Sequence, residues 1–270
     1  MKGQLPILIL ALLMGVPAGV FPQAWTPRGI TEPYKDATLS TTVAGTVAVI
    51  NCKEGEAVKQ GEVILELERE EQTLEVERRR LIAESKVEVD AARHRVETLE
   101  TDLEATRQLF QSTRSVSFEE LQQKELEHKL ARAELERLLI AEEREQLEYR
   151  IAQAQLQKRI IRAPFDGVIV KVFLEVGENC NPQEPLIRIA DTSKCRLVVH
   201  MEAAVSRQLR PDMSVKIRIE GVENPNILQG TVEYVSPLVD PSSGLREVKV
   251  LFDNREGHIN PGLTGTLLLK

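Results

Sequence analysis

The chain has 270 residues, 42% of them hydrophobic, which is enough apolar material for one large or two ordinary domains and excludes wholesale disorder. Aromatics make up only 4%, which is lean for a protein built around a large ligand pocket. With 35 Lys and Arg against 42 Asp and Glu the formal charge is −7, so there is no basic footprint for nucleic acid.

At the N-terminus Lys2 precedes an apolar run from Leu5 to Val16, followed by Pro17 and small residues. A basic start, a short apolar stretch and a small-residue exit describe a secretory leader over residues 1–24, with cleavage expected after Ala18 or Ala24. A retained membrane anchor is the alternative, although the run is short of the roughly 20 residues that span a bilayer. On either reading the chain is exported.

Residues 25–68 read as an entry strand and a small β unit. Apolar residues alternate from Gly45 to Ile50, a Gly55-Glu56 turn follows, and a second alternating run leads through Gly61 to Leu67. From there the pattern changes abruptly. Between Gly61 and Pro164 lie 102 residues with no Gly or Pro, dominated by strong helix formers. Residues 69–158 hold 16 Lys and Arg and 21 Asp and Glu, so apolar positions stand out against charged flanks. They recur at seven as Ile82, Val89, Val96, Leu103 and Phe110, then as Leu126, Ala133, Ile140, Leu147, Ala154 and Ile161, the signature of a coiled coil. Leu121, Leu135, Tyr149 and Leu156 compete for the second seam.

A single helix over this block would be about 135 Å long. The hydroxyl-rich stretch from Ser112 to Ser117 interrupts it. Ser117 and Glu120 have capping-box spacing, and Val116 with Leu121 the spacing of a hydrophobic staple, so a new helix is expected from Phe118. The block over residues 69–160 is therefore expected to be a hairpin with its tip near 111–117. A straight rod dimerising with another chain is the alternative.

The segments flanking the block resemble each other. At a constant offset of 122, Gly45 matches Gly167, Gly55 matches Gly177 and Glu56 matches Glu178, while Val47 aligns with Ile169 and Leu65 with Ile187. Neither half can hide its apolar face alone. If the two halves, ending at 68 and spanning 161–192, close on one another, the block between them must double back. Gly45, Gly55, Gly61, Gly167 and Gly177 then serve as turn and close-packing residues.

A split lipoyl-like sandwich with an inserted helical hairpin resembles the periplasmic adaptor (membrane-fusion protein) family of efflux and type I secretion systems. Arg162-Ala163-Pro164-Phe165-Asp166-Gly167, returning from the coiled coil, is similar to that family's most recognisable motif. The resemblance covers roughly residues 28–270 and implies an α+β multidomain fold: lipoyl-like β-sandwich, antiparallel α-helical hairpin, then a small β-barrel over 193–270. It also implies a bridge between an inner-membrane transporter, ATP-binding-cassette or proton-driven, and an outer-membrane channel, with self-association into a ring. Tip contacts with the channel would involve Arg107, Leu109, Phe110, Val116 and Ser117, though Arg107 sits about one residue off the family's spacing. No covalent carrier cofactor is expected, because the hairpin replaces the turn that presents the modified Lys. Many relatives continue into a membrane-proximal domain, which is expected to be missing or much reduced here.

The barrel segment contains short alternating strands near 197–202, 215–219, 229–236 and 247–252, closed by the Asn260–Leu269 turn and strand. Cys52, Cys180 and Cys195 lack metal-site spacing. If one disulfide forms, Cys180–Cys195 is the expected pair; three independent half-buried thiols is the alternative. No P-loop, dinucleotide fingerprint, metalloprotease helix or nucleophile elbow occurs, so no catalytic, cofactor or metal residues are expected. An exported coiled-coil scaffold without a transporter remains the alternative function.

Overall fold

A computed structural model describes residues 27–221 and 227–269. The expected leader, residues 1–24, lies outside the described residues. Two compact units are formed: one comprises the first residues described through Glu32 together with the chain from Cys195 onward, and the other Pro33–Lys194.

In the second unit the β body is assembled from both flanks of the helical block. Strands β2 (Gly45–Ile50), β3 (Ala57–Val58) and β4 (Val63–Leu67) precede the helices. Strands β5 (Ile160–Arg162), β6 (Gly167–Val172) and β7 (Asn179–Cys180) follow them. Each half pairs with the other, not with itself alone: β3 pairs with β6 through Ala57↔Val168 and Val58↔Gly167, and β2 with β7 through Thr46↔Asn179 and Gly45↔Cys180. These two pairings are one arrangement repeated at the offset of 122.

The hydrogen bonds between the halves follow the same symmetry. Gly55 N–H donates to the Ile169 carbonyl and Gly177 N–H to that of Val47, both at 2.8 Å. Ile169 N–H and Val47 N–H reciprocate to the Glu56 and Glu178 carbonyls. The carboxylates of Glu56 and Glu178 each accept from a backbone N–H three residues upstream, and those of Glu62 and Glu184 do likewise. Gly55 and Gly177 adopt φ of +85° and +92°, which favours glycine. Gly61 at +83° is matched by Gln183 at +69°, a non-glycine in the same conformation. Val47, Leu65, Leu67, Ile169, Ile187 and Ile189 fill the shared core.

The helical block is an antiparallel hairpin. Its returning arm is α3 (Phe118–Gln157), whereas the outgoing arm is two helices, α1 (Glu70–Ala83) and α2 (Val87–Ser112). The break at 84–86 departs from the single outgoing helix expected from the sequence. Gln146 Nε2 reaches across from α3 to the Ala83 carbonyl at 2.6 Å, satisfying a group that an unbroken helix would have paired internally. Arg79 meets Glu145 and Glu148 across the arms, and Lys124 meets Asp102.

Outgoing-arm seam residues Val89 and Leu103 are buried, and Val96 and Phe110 half-buried; Ile82 is largely exposed. The seam expected on α3 is corrected by the structure. Leu126, Ala133, Ile140, Leu147 and Ala154 face outward, Ile161 lies past the end of α3 in β5 and packs against the lipoyl-like core, and the other arm is met by Leu121, Leu135, Tyr149 and Leu156 with Ala131, Leu138 and Ala152. The two rows have the same period, and periodicity alone does not say which one faces a partner.

The first unit is a β-barrel. The first residues of β1 (Arg28–Ser40) pair with β12 (Thr264–Leu268), which continues through β9 (Ser214–Ile219), β10 (Ile227–Val235) and β11 (Leu245–Asp253) to the end of β8 (Pro185–Glu202). A pairing of β8 with β1 closes it. Gly29 is required there, because a Cβ would lie 1.9 Å from the Val198 carbonyl oxygen. A short helix, α4 (Ala203–Ser206), follows β8. Leu197, Val199, Ile217, Val250 and Leu267 are among the core residues.

The expected Cys180–Cys195 disulfide is absent. Cys180 is buried in the lipoyl-like core, donating to the Gly45 carbonyl at 3.3 Å, whereas Cys195 is buried in the barrel core with Asn254 Nδ2 at 3.6 Å. Each side chain points into its own hydrophobic cluster. Burial pushes the Cys180 and Cys52 thiols above the usual range, which keeps both protonated at neutral pH.

The glycines make different predictions. A Cβ on Gly167 would sit 2.7 Å from the Ala190 backbone oxygen, whereas Gly55 has open space around it. Gly167→Ala is expected to destabilise the lipoyl-like unit by about 1–3 kcal/mol through overpacking, and Gly55→Ala by about 1–2 kcal/mol through backbone strain. Urea unfolding with unchanged m-values checks both; a neutral Gly167→Ala would contradict the packing shown.

Candidate functional surfaces

The hairpin tip is built by two helix ends. Ser117, at φ −76° and ψ 157°, caps α3: its Oγ accepts from Glu120 N–H at 3.1 Å. On the outgoing side Thr113 Oγ1 binds back to the Leu109 carbonyl and lies 2.7 Å from Ser115 Oγ. Arg114 makes the turn at φ +50°, an uncommon conformation for a non-glycine.

The five expected tip residues occupy different environments. Val116 is half-buried, above buried Leu121 in sequence. Phe110 is half-buried and its ring meets that of Phe118 at 6.2 Å between centroids, tilted by 45°. Leu109 is 48% exposed. Arg107 is turned inward along the hairpin, 3.5 Å from Glu104 and 3.2 Å from Glu125 of the other arm. Its guanidinium therefore ties the arms together one turn below the tip. Phe118, 61% exposed, was not among the expected contacts, although a capping Ser at 117 places the next side chain at the open end of the helix.

The lipoyl-like body exposes Val170, Phe173 and Val176, with Lys171 Nζ 5.1 Å from the Phe173 ring centroid. At the edge of this unit Arg188 pairs with Asp36 and holds its carboxyl below the usual range, mainly by hydrogen bonding.

The barrel presents a hydrogen-bonded apolar turn between β10 and β11. Leu238 is 76% exposed, next to exposed Val239. Ser236 Oγ both accepts from Leu238 N–H and donates to its carbonyl. Asp240 accepts from the side chains and backbone of Ser242 and Ser243, which lowers its pKa to about 2. Two apolar side chains are thus held outward between two locked turns.

Among the described residues no group of three or more His, Cys, Asp or Glu is placed to hold a metal, and no helix is long and apolar enough to cross a membrane.

This combination of a two-part lipoyl-like body, a helical hairpin inserted into it and a following barrel coincides with two family matches. A model for the CzcB-like barrel-sandwich hybrid domain matches residues 35–191, more than half of the chain, and one for the CusB-like β-barrel domain matches residues 197–270. The chain belongs to the periplasmic adaptor, or membrane-fusion protein, family. A Haemophilus influenzae protein described as uncharacterized is 26% identical to the adaptor over 252 residues, covering 88% of this chain. The adaptor spans 56% of that relative's length. Among solved structures, MacA from Actinobacillus actinomycetemcomitans is similar with a TM-score of 0.67 at 17% identity, over 91% of the adaptor and 78% of MacA. A membrane fusion protein from Streptococcus pneumoniae R6 gives 0.60 at 12% identity, over 92% and 99%. These likenesses are of fold.

The cap separates helix termination from surface contact at the tip. Ser117→Ala is expected to weaken the first turn of α3 by about 1 kcal/mol. Hydrogen exchange at the Glu120 and Leu121 amides should quicken roughly fivefold, with the lipoyl-like core unaffected; unchanged exchange would show that Ser117 does not cap.

Proposed function

We propose that this adaptor bridges an inner-membrane transporter and an outer-membrane channel of a tripartite efflux or type I secretion system. The observation that carries the reading is the exposed tip on a long hairpin whose two ends are rooted in one β body. An α3 of 40 residues is about 60 Å long. That reach, with Leu109 and Phe118 exposed at the end, suits a contact made far from the body.

In this reading the tip meets the channel through Leu109, Phe110 and Phe118, and the cap keeps α3 wound up to the contact. Arg107 contributes by holding the arms together. The barrel's Leu238–Val239 turn offers the transporter-facing contact, and copies of the chain associate into a ring around the exported substrate. The leader delivers the chain to the periplasm. The adaptor's work is steric: it seals and positions, while the transporter supplies the energy and the adaptor binds no nucleotide and catalyses no reaction.

The test is capture after mild cross-linking in cells, comparing the parent with Leu109→Lys/Phe118→Lys. The parent should recover both a transporter and a channel. The tip variant should keep the transporter and lose channel recovery roughly 30-fold, the effect of removing a contact of about 2 kcal/mol. Recovery of neither protein by the parent would overturn the reading in favour of an exported scaffold.

A further inference from the structure

The inner row of α3 runs at alternating spacings of three and four through Leu135, Leu138, Glu142, Glu145, Tyr149 and Ala152. Two consecutive positions of an otherwise apolar seam are therefore glutamates, and both are half-buried. They face the stretch where the outgoing arm is interrupted, since neighbouring Gln146 reaches the Ala83 carbonyl and α2 resumes only at Val87. Between the buried Ala83 and Val89, Lys86 is exposed and leaves the seam unfilled.

The break opens a cavity of about 500 Å³ between the arms. Its apolar walls are Leu81, Ile82 and Val89 of the outgoing arm and Leu138 and Ala141 of α3. That volume suits a drug-sized molecule. Around the walls stand Glu88, Glu142 and Glu145, against Arg144 as the one cation. Glu145 is already satisfied, by Arg79 at 3.6 Å and Arg144 at 3.3 Å. Among the described residues no ion pair engages Glu88 or Glu142, and Arg137 feels Glu88 only through longer-range attraction. A half-buried carboxylate without a partner is costly, and a cation brought to it recovers that cost.

We propose that the cavity at the α1–α2 break binds a drug-sized amphiphilic organic cation. Its apolar body lies on Leu81, Ile82 and Leu138, and its cationic group meets Glu142 and Glu88. Both parts of the ligand are needed. The aliphatic walls offer a bare metal ion no oxygen or nitrogen ligands, and the uncompensated carboxylates repel an anionic amphiphile. No aromatic ring lines the cavity, so the positive group is recognised by carboxylate attraction and not by a ring face. The bound body takes the place of the side chain that the seam lacks, and so links the end of α1 to the start of α2 through α3. The inference rests on the cavity of the single chain and is independent of which proteins the adaptor joins.

Decyltrimethylammonium, kept below its micelle concentration and titrated into the purified full chain, should bind saturably at one site. At about four times its Kd it should slow hydrogen exchange at the amides of residues 85–89 roughly fivefold. Decyl sulfate, with the opposite charge, and tetramethylammonium, without the tail, should each bind at least about tenfold more weakly. Glu88→Gln/Glu142→Gln should cost the cation about tenfold in affinity and leave the binding of neutral decanol unchanged. Ala141→Phe, which fills the cavity from a half-buried position, should abolish cation binding while thermal unfolding shows the chain still folded. No saturable binding by the parent, equal affinity for decyl sulfate, full affinity in the folded double glutamine variant, or protection at the hairpin tip in place of residues 85–89 would each overturn the proposal.

Discussion

The architecture depends on one reciprocal set of backbone hydrogen bonds. Gly55 binds the Ile169 carbonyl and Gly177 binds that of Val47, while Ile169 and Val47 donate in return to Glu56 and Glu178. Neither half of the β body can satisfy these groups or cover Leu65, Ile169 and Ile187 without the other. Closing them brings Leu67 N–H to the Arg159 carbonyl, and Arg159 Nη1 to that of Glu68, at the base of the helical block. Once those residues adjoin, the intervening helices must return to their starting point. The hairpin is therefore a consequence of the β pairing as well as of its own seam, and the projection of the tip follows from both.

Much of this is legible in the sequence for a definite reason. The offset of 122 is carried by Gly45/Gly167 and Gly55/Gly177, where the backbone needs either close approach or positive φ, and such positions leave a residue-specific mark. The mark fades where another residue tolerates the same conformation, as Gln183 does opposite Gly61. The start of α3 is legible because a Ser cap and its Glu partner have fixed spacing. The α1–α2 break has no such mark: α2 starts after Lys86 without a side-chain cap, and no Gly, Pro or hydroxyl cluster flags it.

Other features were hidden because pattern says which residues share a face and not what that face meets. Ile140 and Tyr149 both belong to heptad rows of α3, and only the fold shows that Tyr149 is turned to the other arm. Cys180 and Cys195 are close in sequence, yet β8 carries the chain from the lipoyl-like core to the barrel core between them, so each thiol is buried with different neighbours. At the tip, Arg107 looks like a contact residue until its tie to Glu125 is seen, and Phe118 gains importance because the cap leaves it outside. Which of several similar faces the fold leaves uncovered is set by the packing and not by the repeat.

The central claim is that distant β segments close on each other and fold the helical block back. Double electron–electron resonance between spin labels at Glu71→Cys and Gln155→Cys, in protein diluted with unlabelled chain, tests it directly. A hairpin rooted in one β body places the labels within about 25 Å, the spacing of packed helices plus the label linkers. A distribution extending towards the roughly 126 Å of an unbroken rod, with no short component, would contradict it.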